Sequence, residues 1–325
     1  MPGFDNTFLN NVTRTKFLPA MRNQLYYKPV TMNRLMSRGR VKEMTGRGLE
    51  GSVVLVKHAS VGLFGGYDTL ANQPVNPTVN WTLSPANYYA TVAISGDEER
   101  QNSGRMEKLL DMLKIQMDNA YATMKETMIT DMFGSSTSRG NRNTIVGLAA
   151  IIATTNTYAN INRSTAANAG WKANIDSTAH TIANLKDPTS TSYMPSIMRT
   201  SFANANNDIG VDLIVSSTAI WNIYQDIAGT MIRFMDTKAE LGFNSVNFDG
   251  VEYVFDKYST ANYLWMLSTP TLTFYVYPGT DFSLKEPGWQ IPVDQDARVA
   301  HILWSGQLVC DAPRENAVLT SVGAS

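Results

Sequence analysis

The feature that most constrains this chain is one long amphipathic run between Ser95 and Phe133. Ser95-Gly-Asp-Glu98 has the form of a capping box, Ser at the N-cap and Glu three residues on. Asp97, Glu98 and Glu99 fall in the first turn, where the helix dipole favours anions. Met106, Leu110, Leu113, Met117, Ala120, Met124 and Met128 then recur at steps of three and four, and Gly134 stops the pattern. The spacing predicts a helix of about 38 residues, roughly 57 Å long, or a loop and a helix of about 30 if Gly104 breaks it. Average helices are about 11–12 residues. The stripe spans about four heptads and favours Met over Leu or Ile, so it reads as an adaptable packing face and not as a coiled-coil seam.

What precedes this run has little means of folding alone. Residues 1–48 hold no sustained period, and Pro2, Pro19, Pro29 and Gly39 interrupt them. They carry nine basic residues (Arg14, Lys16, Arg22, Lys28, Arg34, Arg38, Arg40, Lys42 and Arg47) against Asp5 and Glu43, a net +7. The whole chain is −1, so the rest is −8. The basic residues are dispersed and aromatics for base stacking are sparse. The arm is therefore read as a strap on the acidic body of a neighbouring copy, with Arg14, Arg22, Arg34, Arg38 and Arg40 as its contacts and residues 1–40 dispensable for folding the body.

Residues 49–94 read as strand, long loop, strand. Ser52–Lys57 (SVVLVK) and Tyr88–Ile94 (YYATVAI) are rich in β-branched and aromatic residues. Gly62, Gly65, Gly66, Pro74, Pro77 and Pro85 break regular structure between them. This two-stranded excursion has too little apolar material for its own core, so Phe64 and Tyr67 are expected to find partners in another copy. Gly62-Leu-Phe-Gly65-Gly66 lacks the Lys-Ser/Thr of a phosphate loop and the third glycine of a dinucleotide fingerprint.

The compact part begins near Asn141. Residues 171–186 and 192–207 are expected to be helices split by Asp187-Pro188, Val211–Ser216 a buried strand, and Thr218–Met235 a helix with Ile220, Ile223, Tyr224, Ile227 and Ile232 on one face. Val251–Asp256, Tyr263–Leu267 and Leu272–Tyr277 read as strands. Ala297–Trp304 and Gln307–Cys310 read as a hairpin turning at Ser305-Gly306. The fold class is α+β, without an internal repeat.

Charged residues are 17% of the 325, against about 25% usually. Low charge with many small polar residues suits extensive contacts between copies. Met1–Asn11 lacks the apolar core of a signal peptide, and no stretch has about 18 consecutive apolar residues for a membrane span.

Chemistry finds little support. His58, His180 and His301 fall in different kinds of segment, and none has the i,i+4 partner of a helical zinc pair. Cys310, the one cysteine, has His301 near it across the expected hairpin, the only nucleophile–base pairing to weigh. Its apolar strand (QLVC) favours a small buried hydrophobe. Asp294 and Asp296 lack the further spaced acids of a calcium loop. No catalytic residue, cofactor or metal is expected, and the chain is read as a non-enzyme.

Several stretches carry a resemblance. They are VGLAAII at Val146–Ile152, YANINRS at Tyr158–Ser164 with Trp171, Gly242-Phe243 with Phe248-Asp-Gly250, VDQDA at Val293–Ala297, LWSGQL at Leu303–Leu308, and Pro313-Arg314. In this order and spacing the chain resembles major capsid proteins of tailed bacteriophages, the Hong Kong 97-type fold shared with encapsulin shells. The resemblance implies an N-terminal arm at 1–48, an extended E-loop at 49–94 and a spine helix of the peripheral domain at 95–140. It implies a mostly axial domain at 141–240 and the remaining peripheral and axial strands at 241–325. It further implies a subunit that self-assembles as hexamers and pentamers into an icosahedral shell around double-stranded DNA, in a virion built in a bacterial cytoplasm. The partners expected on that basis are other copies, a portal, a separate scaffolding protein and in some cases a decoration protein, with no membrane. The arm is too short and too basic for a typical cleaved scaffolding segment. Some members crosslink Lys to Asn; Lys57 lies near the E-loop, and nothing in the sequence marks it for that. An encapsulin-like container is the alternative.

Overall fold

A computed structural model describes residues 30–38, 40–58, 60–70, 76–101, 106–139, 141–205, 208–229 and 246–323. Arg14, Arg22, Gly104 and Gly242-Phe243 lie outside these residues, as does the end of the helix expected over Thr218–Met235.

The chain opens with helix α1 (Val30–Ser37), then strand β1 (Val41–Glu43). A two-stranded antiparallel ribbon follows, β2 (Leu49–Val54) with β3 (Thr78–Leu83). Strand β4 (Ala86–Ser95) runs directly into α2 (Gly96–Gln101), and α3 (Met106–Phe133) comes next. The capping box forms as its sequence requires. Glu98 N donates to Ser95 Oγ and Ser95 N donates to Glu98 Oε2, both at 3.1 Å. The 28 residues of α3 give a rod of roughly 42 Å. Its apolar stripe packs against the β4 sheet: Leu113, Met117, Met124 and Met128 are buried, joined by Tyr121, Ile129 and Met132. Each such side chain contributes about 1.5–3 kcal/mol on burial. Ala120, assigned to the stripe from spacing alone, is only half-buried, and the adjacent Tyr121 takes the inner position with its ring edge-on to Phe282 at 5.7 Å.

Beyond α3 come two small hairpins, β5 (Ser138–Arg139) with β6 (Arg142–Asn143) and β7 (Thr157–Tyr158) with β8 (Ile161–Asn162), flanking the short helix α4 (Leu148–Ile151). A 3-10 turn, Ala166–Trp171, leads to β9 (Asn174–Asp176). Helices α5 (Ile182–Lys186) and α6 (Met194–Ala205), strand β10 (Leu213–Ser216) and helix α7 (Thr218–Gly229) follow. The remainder is β11 (Val246–Phe248), β12 (Val251–Phe255), β13 (Leu264–Leu267), β14 (Leu272–Val276), β15 (Ser283–Leu284), β16 (Ala297–Cys310) and β17 (Ala317–Leu319).

Two mixed sheets organise these strands. In the five-stranded sheet β1 lies parallel to β14, and β14, β15 and β4 all pair antiparallel with β16. The six-stranded sheet has the order β11-β12-β10-β13-β17-β9. Alternation along its strands separates two cores. Leu213, Val215, Trp265 and Leu267 join the core shared with α3, while Ile214, Leu264, Met266 and Leu319 face the core under α6 and α7. β10 and β13 are buried along their whole length, as strands covered on both faces must be.

Three readings of the sequence are corrected here. The expected hairpin at Ser305-Gly306 is one continuous 14-residue strand, β16. Gly306 is there for closeness and not for a turn. A Cβ on it would stand 2.5 Å from the Tyr275 carbonyl oxygen and 2.9 Å from the Trp304 ring. Second, residues 171–186 are mostly not helical. Trp171 stacks on Tyr158 with centroids 5.8 Å apart, and Asn174–Asp176 pairs parallel with β17, so sheet pairing overrides a weak helical preference. Third, the strand at Tyr88–Ile94 is not the return leg of the excursion. It pairs with β16 over ten residues, and the return leg is Thr78–Leu83, hidden in the sequence between Pro77 and Pro85.

Candidate interaction surface

The β2–β3 ribbon has no separate core and packs on the main one, with Leu49, Val53, Val79 and Leu83 partly buried against it. Trp81 is buried in that core, and its indole lies 2.5 Å from where a Cβ on Gly51 would sit, so the cross-strand glycine makes room for it. The base is tied to the body through the β7–β8 hairpin. Thr82 N donates to the Ala159 carbonyl at 3.1 Å, and the Asn160 side-chain amide donates to Thr82 Oγ1. Ala159 and Asn160 both have positive φ, as a two-residue hairpin turn requires.

Beyond Val54 the chain leaves the ribbon and forms the tip. Gly65 N donates to Asp68 Oδ2 at 2.6 Å and Asp68 N to the Gly65 carbonyl at 3.1 Å, closing a small turn. Around it Val61, Leu63, Phe64, Tyr67 and Leu70 are exposed, Phe64 at 72% and Leu63 and Tyr67 completely. Phe64 and Tyr67 were legible as candidates. Leu63 and Leu70 carry the same signal, apolar side chains in a stretch without period, and were passed over. Exposed apolar side chains grouped in this way make the tip a candidate interaction surface.

The basic residues have a different placement from the one expected. Arg34 is in an ion pair with Glu252 on β12, and Arg38 pairs with Asp212 and donates to Thr269 Oγ1 at 2.7 Å. Thr31 donates to Asp256 Oδ2 from both its backbone N and its hydroxyl, at 3.1 and 2.8 Å. With Met32 and Leu35 buried in the main core, α1 is docked on the chain's own acidic body. Arg40 adds backbone bonds: its N donates to Leu35 and its carbonyl accepts from Phe274 N.

The residues weighed for chemistry do not converge. Cys310 and His301 lie nine residues apart on one continuous strand, roughly 30 Å along it and, at odd spacing, on opposite faces. Cys310 is buried, its sulfur near Thr271 Oγ1 and the Asn316 amide, and burial pushes the thiol pKa up to about 12. His301 Nδ1 is 3.0 Å from Thr91 Oγ1. His180 Nε2 is 3.3 Å from Asp176 Oδ2, and His58 Nδ1 accepts from Ser60 N at 3.2 Å. Asp296 accepts from Arg100 at 2.7 Å. Among the described residues no three His, Cys, Asp or Glu side chains gather as metal ligands, and no helix is long and apolar enough to cross a membrane.

No protein-family model and no curated protein matches the sequence. Solved structures do match. The capsid asymmetric unit of cyanophage A-1(L) is similar at a TM-score of 0.61 and 18% identity, over 87% of this chain and 90% of that one. The capsid of Myoviridae phage XM1 is similar at 0.54 and 10% identity, covering 88% and 91%. The SrpI encapsulin of Synechococcus elongatus is similar at 0.55 and 11%, covering 89% and 87%. The chain has the α+β Hong Kong 97-type fold of phage capsid proteins and encapsulins.

Proposed function

We propose that this protein is the major capsid subunit of a tailed bacteriophage, self-assembling into a closed icosahedral shell around double-stranded DNA. The observation that carries the proposal is the exposed apolar tip between the two ribbon strands. A fold of this type that holds out a cluster of exposed large apolar side chains has left a large binding surface unmet within one copy. Each copy offers its tip to another at a contact between unlike surfaces, the kind that closes into five- and six-membered rings. Many modest contacts then make the shell persistent.

Residues 1–48 as the arm, 49–94 as the E-loop, 95–140 as the spine element, and 141–240 and 241–325 as the axial and peripheral parts supply a consistent division of labour. The likeness to capsid structures supports a structural role over an enzymatic one. A scaffolding protein and a portal are the expected assembly partners, with packaged DNA on the inner face and assembly in the bacterial cytoplasm.

Purified protein, alone and coexpressed with its genomic neighbours, is expected to sediment as closed particles visible by electron microscopy. A strictly monomeric species under every assembly condition overturns the proposal. The likeness to an encapsulin supports a second reading, a container for a protein cargo. Particle contents separate the two: packaged double-stranded DNA supports the capsid, and a protein cargo with a docking tail supports the container.

A further inference from the structure

A cavity of about 560 Å³ opens where the chain leaves β2, between Leu55–Lys57, the 3-10 turn over 166–171 and the turn at Pro313–Glu315. Leu55, Ala166 and Ala169 give it small apolar walls, and Lys57, Lys172 and Arg314 stand around it. Among the described residues no carboxylate lines it. The two lysines place like charge on one opening, and an anion set between them is attracted to both. The size suits a short side-chain cluster.

The same chain displays a knob of complementary character. Gln290 and Val299 exchange backbone hydrogen bonds at 2.9 and 2.8 Å and pinch the base of the loop between them. On its far side Gly96 N donates to the Asp296 carbonyl at 2.7 Å, and Arg100 ties Asp296 and Asp97 together. Pro292 stiffens the interior. This rigid loop presents Ile291 and Val293 to solvent, Val293 at 100% exposure, with the exposed Asp294 beside them. An apolar pair next to a carboxylate is the chemical match of apolar walls ringed by cations. Its rigidity means little conformational entropy is lost on docking.

We infer that the 291–296 knob of one copy docks into the Lys57–Lys172 cavity of a second copy, Val293 on the apolar walls and Asp294 between the lysines. The contact is head-to-tail, so a docked pair still offers one free cavity and one free knob, and it propagates as a shell lattice needs. This inference rests on the shell reading.

A charge-reversal exchange tests it on the full-length chain. Lys57→Glu with Lys172→Glu is expected to lower the assembled fraction at least ~10-fold, and Asp294→Lys to do the same. Combining all three is expected to restore assembly to within ~3-fold of the unaltered protein, because groups in contact couple. Thermal unfolding of the unassembled subunits is expected to be unchanged, since Lys57 and Asp294 are exposed and Lys172 is only partly covered. If the single-sided variants assemble normally, the docking is wrong and the shell reading stands. If only the lysine variant fails, or the combination does not recover, a different anionic partner fills the cavity and the inference is overturned. If the unaltered chain never forms particles, the shell reading fails and the inference falls with it.

Discussion

Cys310 shows how one side chain can be read correctly for its role and wrongly for its surroundings. Its burial among Thr271, Asn316 and Tyr158 keeps the thiol protonated. The native protein is therefore expected to resist alkylation at pH 8 and to react once denaturant exposes the sulfur, read as stoichiometric labelling by mass spectrometry. The same shift bears on stability. The folded thiol titrates near 12, above its usual value of about 9. Its contribution is fully present below pH 9 and is lost as the pH rises from 9 towards 12, so the denaturation midpoint is expected to fall across that window. Gly306 is the sharper lesson. Ser-Gly signals a turn to anyone who sees only neighbours in sequence, yet the constraint comes from Tyr275 on the next strand and from Trp304. Gly306→Ala is expected to cost about 1–3 kcal/mol by overpacking, measured as a shift in denaturant midpoint. The Ser95–Glu98 cap was legible because both of its hydrogen bonds are local.

At the scale of elements, periodic segments were readable and pairing was not. The stripe of α3 appears in the sequence because a helix face repeats without reference to a partner; only the choice of Tyr121 over Ala120 needed the opposing sheet. The return leg of the ribbon was missed because six residues between prolines carry too short an alternation to stand out, while the stronger strand at Tyr88–Ile94 belongs to β16. The exposed tip was half legible: an apolar residue among glycines has nothing near in sequence to pack on, which singles out Phe64 and Tyr67 but does not tell how many neighbours join them. Replacing Leu63, Phe64 and Tyr67 together by Ser is expected to leave the unfolding midpoint of the isolated subunit within about 0.5 kcal/mol of the original, as for exposed positions generally. The assembled fraction, measured by sedimentation, is expected to fall at least ~10-fold, since each large apolar side chain is worth about 1.5–3 kcal/mol when buried.

For the whole molecule, the division into a +7 arm and a −8 body named opposite charges and assigned the arm to a neighbouring copy's body. In α1 the recipient is the same chain: Asp256, Glu252 and Asp212 take Thr31, Arg34 and Arg38 in turn. A charge count gives sign and no address, which is why this part of the contact set was not legible. Removing residues 1–40 is accordingly expected to destabilise the body by at least about 3 kcal/mol, through the lost burial of Met32 and Leu35 and the carboxylates left behind, read from chemical denaturation. Removal of residues 1–29 alone spares those contacts and is the cleaner test of strapping between copies.

The long pairing of β4 with β16 also sets how the molecule bears load. On the β3 side the ribbon is joined to the sheet by Ser84 and Pro85, and β4 then runs antiparallel to β16 from Ala86 to Ser95. Tension applied to the ribbon along β4 would reach the body as shear spread across ten residue pairs at once, not as a peeling force that opens them one by one. Bonds loaded in parallel yield together or not at all. The strand that cannot turn at Gly306 thereby becomes a tie bar, able to pass a pull on the tip into the centre of the subunit.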